Sequence, residues 1–175
     1  MRAGIALGSN VGDRLAHLFA AYQKLSAIST PNEPILCASI YESEPMDCPP
    51  DSPLFLNTVI EIDFDKSVSF LLENTQRIER ELGRKQKTIR NAPREIDCDI
   101  LYLGQESILT DSLTLPHPRI FERRFVLEPL AEICPDLVLP HASISMKAAF
   151  DQLRDDSPRV RAVASGFSAL QSPAS

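Results

Sequence analysis

Hydrophobic residues recur along the chain with two different periods, which separate predicted strands from predicted helices. Helical spacing of apolar residues follows Asp13 and Ser67, both suitable N-caps, and ends at Pro31 and Gly83. Apolar runs with β-branched or alternating character predict strands instead. These strands cover residues 3–7, 35–42, 56–64 and 96–103. The helical faces consist of Leu15, Leu18, Phe19, Tyr22 and Leu25, then Val68, Leu71, Leu72, Thr75, Ile78 and Leu82.

The resulting order, β-α-β-β-α-β, predicts an α+β fold of the ferredoxin-like α/β sandwich type, with helices on one face of an antiparallel sheet. C-terminal additions follow, among them a helical segment near residues 119–133. With 175 residues, 43% of them hydrophobic, the chain can bury one core but is too short for two ordinary domains. We predict one domain over residues 1–155 and a weakly ordered C-terminal tail over residues 156–175.

Charge and composition exclude several classes of function. The formal net charge is −6, so no global positive field attracts nucleic acid. No run approaches the roughly 18 apolar residues of a membrane span, and the first residues lack the apolar core of a signal peptide. The four cysteines form no C-x-x-C pair that would indicate zinc or redox chemistry. We expect a cytoplasmic protein with small-molecule substrates and without a nucleic-acid or membrane partner.

Two connections are long for a compact domain. Residues 43–55 contain four prolines, and residues 83–94 contain five basic side chains. Loops of about this length without structure of their own are often functional lids, although plain surface loops are the alternative. We predict that both loops close over a ligand.

Asp97 and Asp99 are the first candidates for chemistry. Side chains alternate along a strand, so the two carboxylates share one face, with Cα atoms roughly 7 Å apart. They repel each other by about 2 kcal/mol at an effective dielectric of about 20, which favours a cation between them. Magnesium, which prefers carboxylate and phosphate oxygens, is the best candidate. The alternative is that both residues lie on the solvent face of an edge strand.

The basic loop ends at Arg94, three residues before Asp97. Guanidinium groups beside a carboxylate pair are what phosphoryl transfer requires, since both phosphate charge and metal ions must be held. A solvated run of charge is the alternative. The turn at residues 8–12 lacks the lysine of a P-loop, and His117 between two prolines could donate to a phosphate or be structural.

Several motifs, taken in order, resemble the 6-hydroxymethyl-7,8-dihydropterin pyrophosphokinase family over about residues 3–140. They are LGSN-x-GDR at 7–14, YESEP at 41–45, FLN at 55–57, QRIE at 76–79, GR at 83–84, PREIDCDIL at 93–101 and LPHPR-x-x-x-R-x-FVL-x-PL at 115–130. The resemblance implies transfer of a diphosphate from Mg-ATP to a pterin alcohol in folate biosynthesis, with AMP released.

By this resemblance, Asp97 and Asp99 hold two Mg²⁺ ions and Asp97 lies near the substrate hydroxymethyl group. Arg84 and Arg94 contact the phosphates and complete the catalytic set. Further ATP-binding positions are Gln76, Glu79, Ile100, Thr114, His117 and Arg123. The pterin-binding positions are Ser43, Glu44, Pro45, Met46, Phe55, Asn57, Asp97 and Phe125. For both phenylalanines, ordinary core packing is the alternative.

The sequence departs from the family pattern at four positions. Asn91 stands where many members carry a tryptophan that closes the site, and Ser112 where some carry an arginine near ATP. Phe55 replaces a tyrosine, which keeps the ring, and Cys98 replaces a common leucine between the aspartates. None of these changes removes an expected metal ligand.

Three other interpretations remain open at the level of sequence. A different metal-dependent transferase using D-x-D would bind nucleotide without binding pterin. A regulatory ligand-binding module would share the fold but leave the carboxylate pair and basic loop unexplained. The chain could also be one part of a larger folate-synthesis polypeptide, or associate with other enzymes of that pathway.

Overall fold

The computed structural model describes residues 1–46, 48–83, 92–153 and 160–167. The strands are β1 (Arg2–Ser9), β2 (Leu36–Cys37), β3 (Ile40–Ser43), β4 (Phe55–Asp63), β5 (Asp97–Leu103), β6 (Ile108–Leu109), β7 (Thr114–Leu115) and β8 (Val160–Ala164). The helices are α1 (Arg14–Ser26), α2 (Val68–Glu81), α3 (Arg124–Ile133) and α4 (Met146–Asp151), with a short 3₁₀ helix at Ile120–Glu122.

Six strands form one sheet in the order β5-β1-β4-β3-β8, with β2 also paired to β4. Each pairing is antiparallel; β1, for example, places Leu7 opposite Thr58 of β4 and opposite Cys98 of β5. Strands β6 and β7 form a separate two-stranded sheet. The central strands β1 and β4 therefore lie side by side, with β5 paired to the outer edge of β1 and β3 to the outer edge of β4.

Both predicted helix starts are confirmed. The Asp13 side chain accepts a hydrogen bond from the Ala16 amide at 3.0 Å, and Ser67 accepts one from the Phe70 amide at 3.2 Å. The α2 helix ends before Gly83, whose φ of +102° suits a residue without a side chain. The strand predicted over residues 35–42 is interrupted between Cys37 and Ile40, giving β2 and β3.

The sheet separates two hydrophobic cores. Helices α1 and α2 pack on the face that carries Ile5, Leu7 and Ile60. Helices α3 and α4 pack on the other face, which carries Val59 and Leu101. The expected one-sided sandwich thus holds for the first two helices only, because the apolar face of α3 covers the opposite side.

The alternation predicted for residues 96–103 holds up to a β-bulge. Ile96, Cys98 and Ile100 all face the core of α1 and α2. The register between β1 and β5 shifts between Gly4 and Ile5, so that Leu101 is the extra residue. Both Leu101 and Tyr102 consequently join the core of α3 and α4.

Residues 160–167 differ from the weakly ordered tail expected over residues 156–175. Residues 160–164 form β8, which pairs with β3, and Phe167 is only 1% exposed. This strand is short, and residues 161–164 are exposed, so it lacks the buried apolar run that predicted the other strands. Among the described residues, no helix is long and apolar enough to cross a membrane.

The close contact between Gly4 and Tyr102 predicts that a larger residue at position 4 lowers stability. A Cβ atom built on Gly4 would overlap the ring of Tyr102, which is buried and donates a hydrogen bond to Glu61 at 2.6 Å. Gly4→Ala should therefore lower the free energy of unfolding by about 1–3 kcal/mol through overpacking. Urea unfolding measures this loss. In a Tyr102→Val background the same change should cost much less; an equal cost in both backgrounds would contradict the steric explanation.

Candidate functional site

Two clefts meet at one carboxylate; the first lies at the ends of β1 and β4, and the second lies beside β5. The first spans about 640 Å³ and the second about 750 Å³, including space open to solvent, and Asp99 lines both. Predicted site residues that line the first cleft are Ser43, Glu44, Met46, Phe55, Asn57, Arg94, Asp97, Asp99, Arg123 and Phe125. Those that line the second are Ile100, Thr114 and His117, together with Asp99. The predicted pterin-binding residues in the lining thus belong to the first cleft. The predicted ATP-binding positions are split, with Arg94 and Arg123 in the first cleft and three others in the second.

Four predicted residues are not found in the lining of either cleft. Pro45 is flanked by two lining residues, and Gln76 is exposed on α2. Glu79 on the same helix accepts a hydrogen bond from the Cys98 amide at 2.9 Å, which ties α2 to β5 beside the second cleft. Arg84, Asn91 and most of the basic loop lie outside the described residues.

Asp97 and Asp99 lie on the same face of β5, as the alternation predicted, and each is paired with an arginine. Arg94 Nη1 donates to Asp97 Oδ2 at 2.9 Å. Arg123 Nη1 lies 3.5 Å from Asp99 Oδ2. The guanidinium groups therefore offset the repulsion between two adjacent carboxylates.

The position of Arg94 is set by the turn that follows β1. Its amide donates to Asn10 Oδ1 at 2.8 Å, and the Asn10 amide donates to the Arg94 carbonyl at 3.1 Å. Asn10 Nδ2 also donates to the Pro53 carbonyl at 3.2 Å. Asn10 is 2% exposed. The turn at residues 8–12 therefore joins the two long loops.

Each of the two guanidinium groups also has a donor, its Nε, that bonds to neither Asp97 nor Asp99. Arg94 Nε and Arg123 Nε are both buried and have no hydrogen-bond partner among the described residues. A buried donor without a partner is costly unless a ligand satisfies it. Both arginines line the first cleft, so their guanidinium groups would attract an anionic group that enters it.

Arg119 is a third cleft-lining guanidinium that the sequence analysis did not assign. Its Nη2 lies 3.9 Å from the sulfur of Met46, which links the region after β7 to the proline-rich loop. The only sequence signal was its place directly after the P-H-P motif. Cys48, Gly8 and Thr58 also line the cleft and were missed as site residues, since small or apolar side chains carry little chemical signal.

His117 is held as a neutral donor. The Arg119 amide donates to His117 Nδ1 at 3.1 Å, which leaves the proton of the neutral ring on Nε2. Burial lowers the pKa of His117 below its ordinary value of 6.5, and the positive charges of Arg123 and Arg119 lower it further. Burial, followed by the charge of Arg119, also lowers the pKa of Arg123.

The lining of the first cleft also includes two aromatic rings and a buried amide. Asn57 is 5% exposed, and its Nδ2 donates to Ser43 Oγ at 2.8 Å. A Cβ at Gly8 would come within 3.0 Å of Asn57 Oδ1, so glycine leaves space for that amide. Phe55 and Phe125 lie under the guanidinium groups of Arg94 and Arg123, at 5.8 and 5.6 Å from the ring centroids. Such a lining suits a flat, polar heterocycle.

The described residues contain no group of three or more histidine, cysteine, aspartate or glutamate side chains that could hold a metal by themselves. Asp97 and Asp99 are the neighbouring carboxylates that the first cleft provides for a metal ion. Magnesium is commonly bound through one or two carboxylates, with phosphates and water completing its octahedron. The donor set therefore fits magnesium that arrives with a phosphate ligand.

Comparisons with known proteins show which family this chain is similar to. The family model described as 7,8-dihydro-6-hydroxymethylpterin-pyrophosphokinase (HPPK) matches residues 4–135. A Bacillus subtilis protein named 2-amino-4-hydroxy-6-hydroxymethyldihydropteridine pyrophosphokinase is 46% identical over 135 residues, 75% of this chain and 77% of that protein. A Haemophilus influenzae protein of the same name is 41% identical over 142 residues, 81% of this chain and 87% of that protein.

Larger proteins also match. Folic acid synthesis protein fol1 of Pneumocystis carinii is 40% identical over 151 residues, 86% of this chain but only 20% of that protein. A crystal structure of wild-type Plasmodium falciparum HPPK-DHPS with pteroate has a TM-score of 0.63 at 14% identity, covering 86% of this chain and 42% of that one. The likeness to that structure shows the fold alone.

The lowered pKa of His117 predicts a pH-dependent contribution to stability. Because the unfolded histidine has the higher pKa, the unfolded state binds more protons as pH falls below about 6.5. The contribution is therefore present above the unfolded pKa and is lost as pH falls toward the lower folded pKa. Urea unfolding at about pH 7.5 and pH 5.5 should show a smaller pH-dependent loss in His117→Gln than in the wild type. Equal losses in both proteins would contradict the prediction.

Proposed function

The chain belongs to the 7,8-dihydro-6-hydroxymethylpterin-pyrophosphokinase family, and we propose that it transfers diphosphate from ATP to the hydroxymethyl group of 6-hydroxymethyl-7,8-dihydropterin, releasing AMP, in folate biosynthesis. The observation that carries this proposal is the meeting of the two clefts at Asp99. One cleft suits a flat heterocycle, three of the predicted ATP-binding positions line the other, and the carboxylate pair lies where the two substrates would meet.

The pterin would lie between Phe55 and Phe125 in the first cleft. Asn57, fixed by its hydrogen bond to Ser43, would pair with the polar edge of the heterocycle, together with the backbone of residues 43–46. A site built from two stacking surfaces and one immobilised amide recognises shape and hydrogen-bonding pattern at once. Met46 and Arg119 would close the cleft from the loop side.

ATP would occupy the second cleft, with its phosphates directed toward the first. Ile100 and Thr114 line this space, and neutral His117 could donate from Nε2 to a phosphate oxygen. Arg94, Arg119 and Arg123 would neutralise the phosphates where the clefts meet. We also assign Gln76, Glu79 and Arg84 to the ATP site on the family resemblance.

Asp97 and Asp99 would hold Mg²⁺, and we propose two ions. Magnesium supplies Lewis-acid stabilisation of phosphate charge when it is bound. The chain would keep both carboxylates on one face of β5 and offset the repulsion between them. Arg94 and Arg123 do so by pairing with one carboxylate each.

In the proposed reaction, the hydroxymethyl oxygen attacks the β-phosphorus of ATP. A new oxygen–phosphorus bond forms, the bond from the β-phosphorus to the α,β-bridging oxygen breaks, and the hydroxyl proton is released. The protein mainly positions the two substrates and neutralises charge, as in other phosphoryl transfers. Residues 43–55 and 83–94 would close as lids, because water would otherwise compete for the same phosphorus.

We propose that the core follows the ferredoxin-like plan. Strand β4 lies between β1 and β3, and β1 lies between β4 and β5, so each β-α-β unit is split by a strand of the other. This arrangement supports the split β-α-β description. We further propose that the same unit can function within larger folate-synthesis proteins, since it matches one fifth of fol1.

The proposed reaction predicts which nucleotide is released. ATP should be converted to AMP, not ADP, in proportion to the pterin consumed, because attack at the β-phosphorus leaves AMP. Phosphorus NMR of the reaction mixture separates the two nucleotides directly. Pterin-dependent ADP would refute the proposed diphosphate transfer, and nucleotide binding without pterin turnover would favour a different D-x-D transferase.

Asp97→Asn and Asp99→Asn should each lower kcat/KM by at least about 100-fold, because each replaces an anionic metal ligand by a neutral amide. Calorimetry with a non-hydrolysable ATP analogue should show a matching loss of magnesium-dependent binding. Asp151→Asn, which changes an exposed acid paired with Lys147 on α4, is the matched control and should behave as wild type. Activity within about tenfold of wild type in either cleft variant would overturn the metal assignment.

A further inference from the structure

Residues 160–167 contact the strand that carries part of the first cleft, although they lie outside the family match at residues 4–135. We propose that this segment positions the pterin-binding wall by holding β3 from its outer side. The proposal rests on the proposed function, since it concerns affinity for the pterin.

Pairing between β8 and β3 reaches the cleft itself. Val160 lies opposite Ser43, and Ala162 lies opposite Tyr41. Ser43 accepts the hydrogen bond of Asn57 and lines the first cleft. β3 has only four residues, and without β8 it would be the edge strand of the sheet on that side. A short edge strand frays easily, so β8 restricts the motion of Ser43.

An ion-pair chain extends the same connection to the proline-rich loop. Arg161 Nη2 donates to Glu42 Oε2 at 3.0 Å, and Arg14 Nη1 donates to Glu42 Oε1 at 3.3 Å. Arg14 Nη1 also donates to the Leu54 carbonyl at 2.8 Å, one residue before Phe55. Arg161 is 76% exposed, so its pair with Glu42 adds little stability alone.

Phe167 provides the anchor. Its ring is 1% exposed, with its centroid 4.8 Å from that of Tyr22 and 5.8 Å from that of Phe19, both on α1. Gly166 turns the chain toward this site with a φ of +64°, and a Cβ there would come within 3.3 Å of the Ala38 carbonyl. The buried Phe167 ring, which follows the turn at Gly166, therefore holds the end of β8 in place beside β3.

The effect should be confined to one substrate. Ser43 and Asn57 line the first cleft, whereas Ile100, Thr114 and His117 line the second, on the opposite side of the central strands. Loosening β3 should thus weaken pterin binding and leave the ATP cleft unchanged. This selectivity distinguishes a positioning role from a general loss of stability.

Steady-state kinetics of Phe167→Ala test the proposal. We expect the KM for the pterin to rise by about tenfold, with the KM for ATP and kcat within about twofold of wild type. Arg161→Gln should change the pterin KM by less than about twofold, because it removes only a surface ion pair. If Phe167→Ala fails to fold, Phe167→Leu keeps part of the buried volume and should show the same selectivity to a smaller degree.

Leu25→Ala is the matched control, because Leu25 is fully buried in the same core as Phe167 but lies in the last turn of α1 and lines neither cleft. It should lower Tm without a selective rise in the pterin KM. An unchanged pterin KM in the Phe167 variants, or equal rises for both substrates there, would overturn the inference. Wild-type protein without pterin-dependent AMP formation would instead refute the proposed function, so the two failures are distinguishable.

Discussion

Two carboxylates on one face of β5 are the constraint on which the rest of the site depends. Adjacent like charges raise the free energy of the fold unless positive charge is brought to them. Arg94 and Arg123 supply that charge from opposite directions in the chain, one from before β5 and one from the start of α3. The chain therefore concentrates cations at one point while remaining acidic overall.

Holding Arg94 in place explains a motif that looked like a phosphate-binding turn. Asn10 exchanges hydrogen bonds with the Arg94 backbone and reaches the Pro53 carbonyl, while Gly8 leaves room for Asn57. The LGSN motif thus works through its own contacts within the protein and needs no phosphate to account for it. One buried asparagine therefore links the proline-rich loop, at Pro53, to the end of the basic loop, at Arg94.

Sequence periodicity was sufficient for the elements that form the core. The N-caps at Asp13 and Ser67 and the shared face of Asp97 and Asp99 follow from local rules, and the structure shows them. Features set by tertiary contacts were not predictable in this way. The β-bulge at Leu101 depends on the register with β1, and β8 forms by pairing with β3, which is distant in the sequence. The place of Arg119 in the cleft lining was likewise not predicted, since it depends on how the residues after β7 pack beside the proline-rich loop.

The division of the site into two clefts has a chemical consequence. If the substrates bound in one undivided space, water could reach the phosphorus as easily as the pterin alcohol could. Here Asp99 marks the junction, while the buried Nε atoms of Arg94 and Arg123 lack acceptors among the described residues. In the proposed reaction, the phosphates of the substrate would complete the charge complementarity that these arginines leave open between the clefts. Binding energy is then used at the point of transfer, where it favours the reaction between two bound partners over hydrolysis.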